Sequence, residues 1–172
     1  LNVPNGSKLL VVSLYEGTEY DSKGLYVKDA DINGDVISVS GITLDKNSYG
    51  VEVTGEMMLM DELTSVSGIA DDTGSGSKMS CALYGGEVIV SEYGMLNAIS
   101  PAITPNSSES NAISSNIKVL GRAYILGGGN GIYNTSGQNS IVDANADLIA
   151  YGIRGFGIKG SKSSLSGGYY MG

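Results

Sequence analysis

The sequence predicts an all-β chain wound as a parallel β-helix, or β-solenoid, of about six or seven coils. Composition supplies two of the reasons. Gly, Ser and Asn account for 26, 24 and 12 of the 172 residues, and all three are weak helix formers. Hydrophobic residues still make up 41% of the chain, in short β-branched clusters that can support a core and argue against disorder. The third reason is a recurring spacing, the signature of a repeat architecture.

That spacing has two parts. Val90, Gly94 and Leu96 match Val119, Ala123 and Ile125, and both match Val142, Ala146 and Leu148. The shared form is a Val, three residues, a small residue, one residue, then Leu or Ile. Beside it runs a small residue followed by an aliphatic one: Gly24-Leu25, Gly50-Val51, Ala82-Leu83, Ala112-Ile113, Gly131-Ile132 and Gly152-Ile153. The longer steps contain polar stretches, 71–78 and 105–110, that read as bulging loops. Without them a unit of roughly 20 residues remains, enough for two or three short strands and tight turns. Strands of successive coils would lie about 4.8 Å apart, so that Val stacks on Val and Leu on Ile. Gly or Ala fits the corners that a bulky side chain would crowd. The competing fold is an antiparallel β-sandwich, but Asn33-Gly34 is the one clear two-residue hairpin signature.

Taken in order, residues 1–23 read as an N-terminal strand or cap, with the apolar run Leu9–Leu14 followed by Glu16 and Glu19. Residues 24–172 read as the repeats of a single domain. The last segment, Ser166–Gly172, shows neither a helix nor a charged cap, which raises end-to-end self-association. Because the first residue is Leu, the chain reads as a mature or trimmed piece of a longer protein.

The net charge of −8 and pI near 4.3 make nucleic acid and anionic membrane poor partners. The charge is uneven: residues 1–86 hold 13 acidic and 5 basic side chains, residues 87–172 hold 5 of each. No apolar run reaches the length of a membrane-spanning helix. With no His, mechanisms with a histidine base, nucleophile or metal ligand are removed. Cys81 stands alone, so no intramolecular disulfide can form, and its Ser-Cys-Ala-Leu setting reads as a small buried hydrophobe.

Four groups of residues could carry chemistry. Asp29, Asp31, Asn33 and Asp35 match the first half of a calcium loop, with oxygen ligands at alternate positions and Gly34 at the turn. Ser40 falls where a bidentate Glu is required, so an acidic turn between two strands competes with calcium. Asp61-Glu62 and Asp71-Asp72 pair carboxylates, but neighbours on a strand point to opposite faces unless the backbone turns there. Lys118 and Arg122 with Asp143 and Asp147 could suggest a polysaccharide lyase, although the acids need not stack in register with Arg122. Finally, eleven Tyr with one Phe and no Trp mark wet, polar binding surfaces. Tyr93, Tyr124, Tyr133 and Tyr151 are the candidate ligand-binding residues.

Gly85-Gly86-Glu87-Val88-Ile89-Val90 leading to Gly94-Met95-Leu96, and Asn116-Ile117-Lys118-Val119 leading to Ala123-Tyr124-Ile125, resemble the degenerate Gly-rich repeats of bacterial autotransporter passengers and related surface adhesins. The resemblance covers residues 24–160, and departs from the family in having few Thr and several Met, among them Met57, Met58 and Met60. It implies a secreted or cell-surface, right-handed parallel β-helix used for adhesion or self-association, and it carries no catalytic residue onto this chain. The resulting expectation is a non-catalytic adhesin or structural surface module, with no cofactor beyond calcium, recognising a glycan or a cell-surface protein partly through loops 71–80 and 104–111. The alternatives are a polysaccharide-active β-helix enzyme, lyase or hydrolase, and a self-assembling filament subunit.

Overall fold

The computed structural model describes residues 1–15, 19–34, 36–43, 46–69, 79–101, 110–135, 137–143, 145–160 and 163–171. Seventeen strands and no helix occur among them. One sheet collects ten strands: β1 (Asn2–Val3), β3 (Ser22–Val27), β4 (Ala30–Ile32), β6 (Ser48–Leu59), β8 (Ser80–Val90), β10 (Ser110–Val119), β12 (Ile132–Tyr133), β13 (Ser140–Val142), β15 (Ile158–Lys159) and β16 (Ser163–Leu165). The other collects seven: β2 (Lys8–Tyr15), β5 (Val36–Thr43), β7 (Glu62–Ile69), β9 (Met95–Ser100), β11 (Arg122–Gly127), β14 (Asp147–Gly152) and β17 (Tyr169–Met171). The chain alternates between the two sheets, and every pairing among the described residues is parallel. That pattern is a β-solenoid and not a sandwich. It has about five turns, a count slightly different from the six or seven expected.

The core is built from stacked columns. Val3, Ile32, Leu59, Val90, Val119, Val142 and Leu165 are successive register partners on the ten-stranded sheet, and the first six are buried. A second column on the same sheet runs Leu25, Val51, Leu83, Ile113, Ile132, Ile158. Five of the six small-aliphatic pairs read from the sequence therefore stack. The sixth does not: Gly152 is the partner of Gly127 at the end of the other sheet, and Gly157-Ile158 takes its place.

The Val-based repeat is correct in its first half and slips in its second. Val90, Val119 and Val142 are partners, but Ala123 pairs with Leu96 and Leu148, not with Gly94 and Ala146. The cause is corner length. Residues 91–94 and 143–146 join the sheets in their coils, whereas residues 120–121 suffice between β10 and β11. Strand side chains alternate with a period of two, so a slip of two keeps Ala123 and Ile125 inside; both are buried.

The opposite corner is polar. Ser22, Ser48, Ser80 and Ser110 form a buried column that faces Ser13, Gly41, Ser67 and Ser100. Ser22 Oγ donates to Ser13 O at 3.0 Å, and Ser48 Oγ donates to Gly41 O. The hydroxyls of Ser67 and Ser80 (3.0 Å), Ser80 and Ser100 (2.7 Å), and Ser100 and Ser110 (3.1 Å) link to one another. Small side chains let the two sheets converge here, and the hydroxyls satisfy one another where burial would otherwise be costly. At Gly41 a Cβ would overlap the Tyr49 carbonyl, so no larger residue fits.

Candidate functional site

The outward position after the second column carries, coil by coil, Tyr26, Glu52, Tyr84, Ser114, Tyr133 and Lys159. Aromatic and polar side chains alternate along it. Between Tyr26 and Tyr84 the space is filled: Lys23 Nζ lies 2.7 Å from Glu52 Oε2 and 4.9 Å from the centre of the Tyr26 ring. Hydrogen bonding to Glu52 holds the Lys23 pKa above its ordinary value. Between Tyr84 and Tyr133 the intervening residue is only Ser114, and there the surface sinks into a cleft of about 420 Å³.

The two tyrosines are the cleft's walls along the rod, two strand spacings or about 9.6 Å apart at the backbone. Each is supported from outside. The Tyr84 ring stacks on Tyr49 of the preceding coil, with centroids 4.7 Å apart and planes 21° apart. Lys159 Nζ, from the following coil, lies 5.3 Å from the centre of the Tyr133 ring. The base is polar and buried, made by Asn111, Ser114 and Asn130. Asn130 Nδ2 donates to Asn111 Oδ1 at 2.7 Å, and Asn130 Oδ1 accepts from Phe156 N at 3.1 Å, so the amides are fixed in orientation. Across the rod the cleft is bounded by Met79 on one side and by Thr135 and Gln138 on the other. Gln138 Oε1 accepts from Thr135 N (2.9 Å) and Oγ1 (3.0 Å), while its Nε2 reaches Ser114 O at 3.4 Å. Asn139 N donates to Asn116 Oδ1 at 2.8 Å, pinning that loop to β10. Among the described lining residues there is one cation, Lys159, and no carboxylate.

Of the four tyrosines read from the sequence, Tyr133 alone lines this cleft. Tyr93 sits in the corner between β8 and β9, 77% exposed. Tyr124 and Tyr151 lie on the outer face of the seven-stranded sheet, Tyr124 opposite Asn97 and Ile149, Tyr151 opposite Leu126. The structure does not gather the four into one surface. It supplies Tyr84 and Tyr49 instead. The signal for Tyr84 lay one residue past the small-aliphatic pair, in Gly24-Leu25-Tyr26, Ala82-Leu83-Tyr84 and Gly131-Ile132-Tyr133.

The acidic candidates fall elsewhere. Asp29 Oδ1 accepts from Glu56 N at 3.1 Å and its Oδ2 lies 4.0 Å from Lys28 Nζ. Asp31 is exposed on β4 between buried Ala30 and Ile32, and Asn33 N donates to Val3 O at 2.8 Å. Asp35 lies outside the described residues, and no cluster of three metal-ligating acids, thiols or imidazoles occurs among the rest. The backbone does turn at Asp61, whose Oδ1 accepts from Glu62 N at 2.9 Å; Asp71 and Asp72 are outside the described residues, as are 70–78 and 102–109, most of both expected recognition loops. Asp147 is the register partner of Arg122, a pairing the sequence left open, and both line a second hollow of about 170 Å³ with Tyr124. Asp143 Oδ1 instead accepts from Asn145 N at 3.0 Å. Cys81 is fully buried, as its setting suggested, and burial pushes its thiol pKa up.

Comparison of the chain with protein-family models, with curated proteins and with solved structures finds no match. Its chemistry is read from its own surface.

Proposed function

We propose that this chain is a non-catalytic, extracellular surface module that binds a glycan in the Tyr84–Tyr133 cleft. One observation carries the reading: a buried base of amide and hydroxyl groups set between two externally supported tyrosines. Sugars present two chemistries at once, apolar C–H faces and a rim of hydroxyls. Aromatic walls suit the first, and fixed Asn amides, with both donors and acceptors, suit the second. Glycoside hydrolysis needs two converging carboxylates, and the described lining has none, which favours recognition over cleavage. The surface location follows from the resemblance to autotransporter passengers and from the composition.

Affinity electrophoresis against neutral and acidic polysaccharides tests this, with each lane checked for chain shortening. Retardation without shortening is expected, and Tyr133→Ala should weaken it about ten-fold, the loss of one aromatic contact. Shortening would make the protein an enzyme. Indifference to every polysaccharide would remove the glycan reading and leave a protein ligand or self-association.

A further inference from the structure

We infer that the cleft takes the end of a glycan, a terminal or branch sugar, and not an internal stretch of chain; this deepens the glycan reading and rests on it. The argument is the shape of the rim. Along the rod the cleft is stopped by Tyr84 at one end and by Tyr133 and Lys159 at the other. Across the rod it is stopped by Met79 and by the loop that Gln138 holds against Ser114 and that Asn139 holds against Asn116. Its base is closed by the hydrogen-bonded pair Asn111 and Asn130. A polymer lying in such a bowl would have to leave through a wall in two directions. A chain end enters from above and leaves by the same opening.

Two features make the enclosure a property of this coil. The equivalent space one repeat earlier, between Tyr26 and Tyr84, is plugged by the Lys23–Glu52 ion pair, so among the described residues the face offers no continuous track of tyrosine-walled hollows for a long chain. The volume of about 420 Å³ holds one or two sugars. Recognition is therefore of a terminal mono- or disaccharide, with Tyr84 and Tyr133 as its walls and the Asn pair reading its hydroxyls.

The experiment is titration calorimetry of the whole chain with methyl glycosides of glucose, galactose, mannose and N-acetylglucosamine, and with linear oligosaccharides of increasing length built from whichever sugars bind. Affinity per chain should reach its plateau at the disaccharide, and the matching methyl glycoside should displace a retarding polysaccharide completely. Tyr84→Ala and Tyr133→Ala should each weaken the glycoside about ten-fold, with unchanged thermal melting showing that the coil is intact. Affinity that keeps climbing with length, in a protein that methyl glycosides cannot displace, would overturn end recognition and leave glycan binding standing. Failure of all sugars and polysaccharides to bind would remove both readings. Full affinity in both tyrosine variants would move the site away from this cleft.

Discussion

Asn130 joins three consecutive coils through one side chain, donating to Asn111 and accepting from the Phe156 amide. Asn130→Leu keeps the volume and removes both bonds. A buried polar group that loses its partner costs about 1–3 kcal/mol, so urea unfolding should show a loss of about 2 kcal/mol, and sugar affinity should fall with it. A stability unchanged within error would mean that the amide pair is incidental. Cys81 and Tyr49 report burial through pH instead. Burial raises both pKa values in the folded chain, the thiol from 9.0 and the phenol from 10.0. Below those values both groups are neutral folded or unfolded and neither affects stability. Above them the unfolded chain releases protons that the folded chain retains, so stability must fall as pH rises past about 9. Cys81→Ala should flatten the first part of that decline, and iodoacetamide should label Cys81 only after denaturation.

Columns, not single strands, carry the stability of the coil. Leu59 lies mid-column, fully buried between Ile32 and Val90, whereas Leu165 ends the same column at 42% exposure. Leu59→Ala should cost about 2–5 kcal/mol, and Leu165→Ala under about 1 kcal/mol, since little area leaves water there; equal losses would contradict the columnar account. These columns were legible in the sequence because stacking demands like on like at each coil, and that leaves Val90, Val119 and Val142 recognisable. Corner length was not legible. Any short polar stretch can join two sheets, so residues 120–121 do in two what 91–94 do in four, and the alignment beyond Val119 slid by two. The false pair Gly152-Ile153 arose the same way, because a Gly at a corner and a Gly within a column look alike. The site was legible only in part. Tyr133 stood out by type, while Tyr84 and the Asn pair gain their meaning from register between coils.

At the scale of the rod, the uneven charge becomes an uneven stability. Residues 1–86 carry 13 acidic and 5 basic side chains, and among the described residues stacking brings like charges together where that stretch meets the next residue. Glu56 and Glu87, both exposed, are register partners on β6 and β8, an arrangement that destabilises a sheet by up to about 1 kcal/mol. In a solenoid each coil contacts only its neighbours, so stability is close to a local sum and one end can respond to conditions that the other ignores. Sodium chloride screens exposed charges, reducing the Debye length from about 10 Å at 0.1 M to about 3 Å at 1 M. Hydrogen exchange should therefore slow with salt in β2, β5, β6 and β7 while β10, β11 and β14, in the neutral half, change little. Glu87→Lys should reproduce part of that slowing without salt, because it turns the Glu56 contact from repulsive to attractive. An identical salt response along the whole rod would mean that the coils unfold as one unit and that the acidic end is not separately strained.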